Sequence, residues 1–121
     1  MSKKIMVVDD SALSRRTLRR ILEGAGYNVV EAEEGMAALE LYFIEKPDLV
    51  FLDLVMKGMY GLDVLAKLRE LDAEARVVVA SADVQTSTRT MVEEAGARGF
   101  INKPFAPEKV LGAVESAMGG E

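Results

Sequence analysis

The chain has 121 residues, half of them hydrophobic and 29% charged, with a formal net charge of −5; this is the mix of one soluble globular domain with room for a sizeable core. It holds no Cys and no His, which excludes disulfides, Cys/His zinc centres, Ser-His-Asp triads and Cys-His pairs, and the acidic balance argues against a general nucleic-acid binder. No apolar run approaches the roughly 20 residues of a membrane span, and the start, MSKKIMVV, has too short an apolar stretch for a signal peptide, so cytoplasmic residence is expected.

In chain order, residues 4–9 (KIMVVD) read as a strand. From Leu13 the apolar positions Leu13, Leu18, Ile21, Leu22 and Ala25 recur at helical spacing, and Gly24 and Gly26 stop that helix. Residues 28–33 suit a half-exposed strand, and Met36, Ala37, Leu39, Glu40 and Phe43 lie on a second helix that ends before Pro47. Residues 48–53 form a third strand, followed by the loop MKGMYG. Leu62, Val64, Leu65 and Leu68 mark a third helix, residues 76–80 (RVVVA) a fourth strand, and residues from about 84 to 95 a polar helix closed by Gly96. A fifth strand spans 98–102 (RGFIN), and Pro107 opens a last helix with Val110, Leu111 and Val114 inward. Five such β-α units predict a single α/β domain, a doubly wound parallel sheet with helices on both faces.

Function in such sheets collects at the carboxyl ends of the strands. There the chain brings Asp9 and Asp10 from the first strand, Asp53 from the third, Ser81 from the fourth and Lys103 from the fifth. Three carboxylates in one crevice repel each other unless cations are present. Lys103 is one, and a divalent ion such as Mg²⁺, which prefers hard oxygen ligands, would be another. A carboxylate can also form an acyl phosphate, with metal and Lys neutralising the transferring group and Ser81 bonding a phosphoryl oxygen. Each position has a plainer reading when taken alone. Asp53 can cap a turn, Asp10 can cap the helix from Ala12, Asp9 can be a solvated loop acid, and Ser81 a turn residue. Lys103 can lie at the surface, and Phe100 in the core.

Taken together, VVDDS at 7–11, LVFLD at 49–53, VVVASA at 77–82 and AGARGFINKPF at 95–105 resemble the receiver domain of two-component response regulators, most closely the stand-alone chemotaxis type. The resemblance covers essentially the whole chain. It implies a flavodoxin-like fold with sheet order 2-1-3-4-5 and five helices, and one receiver domain over 1–121 without linker or output domain. Asp53 would be the phosphoacceptor. Asp10 would bind Mg²⁺ (or Mn²⁺) directly, Asp9 mainly through water, and the Val55 carbonyl would complete the metal site. Ser81 and Lys103 would hold the phosphoryl group, Pro104 would follow a cis peptide, and Phe100 would be an aromatic switch following Ser81. The implied partners are a histidine kinase or histidine phosphotransfer protein and an output protein met by the fourth helix, fifth strand and fifth helix. The protein would be a monomer or a phosphorylation-dependent dimer, without DNA or membrane binding.

Several residues depart from that pattern. Lys57 replaces the usual Pro, which predicts a looser loop. Val55 and Asp83 flank the mouth of the site, where an apolar Val55 cannot position an attacking water. Phe100 lacks the hydroxyl of the Tyr often found there, so its switching would be steric. QTSTRT at 85–90 propagates helix poorly and predicts the softest helix. Arg15, Arg16, Arg19 and Arg20 offer either a solvated face or a greeting surface for the phosphodonor. Rival readings are a haloacid dehalogenase-type phosphatase, which wants a second acid where Ser11 stands, a flavin carrier, a phosphate sink without output, and a receiver cut from a longer regulator; Met1 and the short MGGE tail favour a complete protein.

Overall fold

The computed structural model describes residues 3–56, 58–82 and 85–119. Five strands, β1 (Lys4–Val8), β2 (Asn28–Ala32), β3 (Leu49–Asp53), β4 (Val77–Ser81) and β5 (Gly99–Asn102), alternate with five helices, α1 (Ala12–Gly24), α2 (Gly35–Glu45), α3 (Gly61–Leu71), α4 (Thr86–Glu94) and α5 (Pro107–Met118). The strands pair in parallel in the order β2-β1-β3-β4-β5, as the resemblance implies. Runs such as LVFLD and VVVAS are apolar throughout because β3 and β4 are covered on both faces; every residue of the two strands is buried.

Alternate strand residues feed two cores. Met6, Val8, Val50, Leu52, Val77 and Val79 pack against α2, α3 and α4. Ile5, Val7, Leu49, Phe51, Val78 and Ala80 pack against α1 and α5. Register places Leu52 beside Val8 and Asp53 beside Ala80. The carboxyl ends of β1, β3 and β4 therefore finish level, and their terminal side chains share one edge.

Three sequence expectations shift. Leu13 does not face the core but is 68% exposed, on the outer side of α1's first turn. Leu111 is only half-buried, whereas Val110 and Val114 are buried as expected. β1 ends at Val8, and Asp9 follows it with its N–H still donating to the Ala32 carbonyl (3.2 Å). α4 has one buried residue, Val92, and its N-cap Gln85 makes no side-chain cap bond. With so few anchors, amides of 86–90 are expected to exchange at least about tenfold faster than those of α3, which buries Val64, Leu65 and Leu68. Native-state exchange by mass spectrometry checks this, and equal protection in the two helices would contradict it.

Candidate functional site

The strand ends build a cleft of about 550 Å³ lined by Asp9, Asp10, Asp53, Val55, Ser81 and Lys103, together with Ser11 and Ala82. Six of the residues singled out from sequence thus meet in one place. Carboxylate oxygens of Asp9, Asp10 and Asp53 lie within 4.8 Å of one another. Asp9 and Asp53 are buried and Asp10 is exposed, so the cluster has a closed floor and an open lip.

Asp9 is not a solvated acid. It is 2% exposed, one oxygen accepts from the Ser11 N–H (2.9 Å), and the other accepts from Lys103 Nζ (2.9 Å). The same Nζ stands 3.6 Å from Asp53 Oδ1, and its position 5.9 Å from the Phe105 ring centre adds a cation–π contact. One ammonium thus serves two buried acids. The Lys103–Pro104 peptide is cis, and the Lys103 N–H bonds the Ser81 carbonyl (3.0 Å), tying the ends of β4 and β5 together. The cap of α1 is Ser11, whose hydroxyl accepts from the Ser14 N–H (3.2 Å); capping does not occupy Asp10. That role also accounts for Ser11 standing where a phosphatase of the dehalogenase type would carry its second acid.

Asp53 closes β3 at 6% exposure. Burial first, then the charge of Asp9, push its carboxyl up to about 6, against the pull of Lys103 and a hydrogen bond from the Val55 N–H. A buried carboxylate held this far above its ordinary value gains from any positive charge brought to it. Hard oxygens on Asp9, Asp10 and Asp53 suit Mg²⁺, and the residues present therefore fit that ion.

Two supports escaped the sequence reading. Arg15 does not greet solvent: its guanidinium bonds the Asp9 carbonyl (2.7 Å) and Glu31 (2.9 Å), bracing the turn that carries the acids. Arg19 also turns to Glu31 (2.6 Å) and Glu23 (2.9 Å), which leaves Arg16 and Arg20 as the exposed arginines of α1. Gly61 opens α3 where a Cβ would collide with the Asp53 carbonyl oxygen and the Leu54 Cα, and its N–H bonds the Leu54 carbonyl (2.8 Å). We expect Gly61→Ala to destabilise the protein by about 2 kcal/mol and to move the segment after Asp53. Urea unfolding gives the first effect, and an unchanged midpoint would mean the clash relaxes freely.

Phe100 lies away from the cleft. It pairs with Val79, one side-chain repeat below Ser81, is half-buried, and carries the Arg89 guanidinium 5.5 Å from its ring centre. Val55 is 68% exposed at the mouth of the cleft. Lys57 and Asp83 lie outside the described residues.

A doubly wound sheet with an acidic pocket and a lysine at its carboxyl edge defines a class of phosphate-handling α/β switch. The chain belongs to the response regulator receiver domain family, whose sequence model it matches over residues 5–115. It is 40% identical to the chemotaxis protein CheY of Bacillus subtilis over 119 residues, 98% of this chain and 99% of that one. To the chemotaxis protein CheY of Thermotoga maritima it is 39% identical over 115 residues, 94% and 96% of the two chains. Among solved structures it is similar to the CheX-CheY-BeF3-Mg²⁺ complex from Borrelia burgdorferi, with TM-score 0.91 and 32% identity over 94% of this chain and 87% of that one. It is accordingly a phosphorylation-dependent switch of two-component, chemotaxis-like signalling rather than an enzyme with a substrate of its own. Receivers of this type bind Mg²⁺ in an acidic pocket and interact with kinases and downstream targets. No described helix is long and apolar enough to cross a membrane.

Proposed function

We propose that Asp53 takes a phosphoryl group from the phosphohistidine of a kinase or phosphotransfer partner. A carboxylate oxygen of Asp53 attacks phosphorus, the P–N bond to the partner's imidazole breaks, and the imidazole leaves with the bonding pair and takes up a proton. The observation that carries this is the buried Asp53 carboxylate with Lys103 3.6 Å away at the floor of an open cleft. Lys103 follows the charge from the carboxylate to the phosphoryl oxygens, and Ser81, 2% exposed at the end of β4, donates its hydroxyl to one of them. Asp10, Asp53 and the Val55 carbonyl would hold Mg²⁺, with Asp9 acting mainly through water because both its oxygens already accept hydrogen bonds. When bound, the ion supplies positive charge that offsets repulsion between acids and phosphate.

The added charge then biases Ser81 and the Phe100 ring, and through them the face of α4, β5 and α5 that meets the output protein. The Borrelia burgdorferi CheY bound to CheX with BeF3 and Mg²⁺ supports a loaded site coupled to a partner. Incubation with acetyl phosphate and Mg²⁺ tests the chemistry. Intact mass should show one added phosphoryl group on the wild type and none on Asp53→Ala, and equal uptake by the variant would overturn the assignment.

A further inference from the structure

β2 contributes no side chain to the cleft, yet it holds the acidic turn at two points. Asp9 stands one residue past β1, whose last residue, Val8, pairs with Ala32 of β2. Both main-chain polar groups of Asp9 are fastened from that strand. Its N–H donates to the Ala32 carbonyl (3.2 Å). Its carbonyl accepts from Arg15 Nη1 (2.7 Å), and Arg15 is itself held by Glu31, the residue before Ala32, through an Nε–H bond to Oε1 (2.9 Å). The other Glu31 oxygen accepts from Arg19 Nη1 (2.6 Å), so α1 engages both oxygens of one carboxylate.

The carbonyl that Arg15 grips belongs to the peptide joining Asp9 to Asp10. Because a peptide is planar, fixing that oxygen fixes the direction in which the chain leaves for Asp10, the exposed acid of the cluster. Mg²⁺ demands near-ideal octahedral geometry, so the aim of this peptide governs how well the acids can serve it. The side chains of Arg15 and Glu31 are 11% and 28% exposed, and the planar guanidinium fork meets two acceptors at once, as an ammonium on a flexible stem does not. The hydrogen bond from Arg19 foremost, and that from Arg15, hold the Glu31 carboxyl below its ordinary value against partial burial, so it is charged at neutral pH. A cation beside three acids that acted by charge alone would compete with Mg²⁺, and its removal would tighten metal binding. A cation that sets geometry has the opposite sign. We propose that Arg15, aimed by Glu31, is a positioning residue of the metal and phosphoryl site, holding the Asp9–Asp10 peptide in place for Mg²⁺. This rests on the reading that the three acids hold that ion.

Calorimetric titration of the unphosphorylated protein with Mg²⁺ tests this, at about 0.5 M KCl, where charge is screened within about 4 Å. Urea midpoints establish that each variant is folded during its titration. The wild type should bind the ion, and Arg15→Ala should bind it about tenfold more weakly, as expected for a group that orients metal ligands. Glu31→Gln, a one-atom change at a partly exposed side chain, should weaken binding as well. Added to Arg15→Ala it should cost nothing further, because Glu31 acts only through Arg15. Arg19→Ala, which leaves the Arg15–Glu31 bond in place, should match the wild type. Unchanged or tighter binding by Arg15→Ala, additive losses in the double variant, or an Arg19→Ala loss as large as that of Arg15→Ala would each overturn the proposal. If Arg15→Ala does not fold, Glu31→Gln decides alone, and an affinity equal to that of the wild type would overturn it. A wild type that binds no Mg²⁺ would overturn the metal reading itself, and the positioning role with it.

Discussion

Asp53→Asn is expected to stabilise the metal-free protein by about 2 kcal/mol at pH near 7.5 while abolishing phosphoryl uptake. The carboxyl is held at about 6 against an ordinary 3.8; at about 1.4 kcal/mol per unit this is about 3 kcal/mol, which water reaching the open cleft screens to about 2 kcal/mol. The neutral amide is nearly the same size and is not repelled by Asp9 or Asp10. Because the folded value lies above the unfolded one, the ionised form is what folding disfavours. The penalty is full above pH 6, shrinks as pH falls through 6, and is gone below about 4. The stability difference between variant and wild type should therefore be large at pH near 7.5 and close by pH near 4. Mg²⁺ should narrow it at neutral pH by binding the folded wild type more tightly than the variant. Urea midpoints at the two pH values measure all three effects. A variant no more stable than wild type at neutral pH would show that the Asp53 charge is better compensated than its burial suggests.

Lys103→Met should have the largest opposite effect. Its Nζ is the near neighbour of Asp9 at 2.9 Å and of Asp53 at 3.6 Å, and Asp9 is 2% exposed. Truncation leaves two buried acids facing each other without a cation, a loss of about 3 kcal/mol, and phosphoryl uptake should fall with it. Adding Asp53→Asn removes one of the stranded acids. The double variant should thus recover part of the stability, with a coupling of about 1 kcal/mol in a double-mutant cycle. Strict additivity, or a single-variant loss below about 0.5 kcal/mol, would mean that Lys103 is screened by water and does not set the balance of the cleft.

Most of the fold was legible because parallel buried strands leave continuous apolar runs: VVVAS could be little else. The site was legible for a related reason. A charge that terminates such a run, as Asp53 does after LVFL, is conspicuous against it. What failed to show were contacts between distant parts of the chain. Arg15 looks like one more surface cation until Glu31, sixteen residues on, and the Asp9 carbonyl claim it. Gly61 reads as a loop glycine, since the backbone atoms that forbid a side chain there belong to Asp53 and Leu54. Leu13 fits the helical period by spacing, yet it lies in the first turn of α1, which starts at Ala12, and is 68% exposed there. Periodicity reports which way a residue points along its own element, and it is blind to whether a neighbour lies there.

The position of β3 between β1 and β4 also divides the labour mechanically. β4 is held in the same way between β3 and β5, so Asp53 and Ser81 both close strands that are hydrogen-bonded on two sides and buried along their whole length. Asp9 and Asp10, by contrast, lie in the turn between β1 and α1 rather than on a strand. On the function proposed above, a partner delivering a phosphoryl group would have to align itself to an oxygen on this rigid edge.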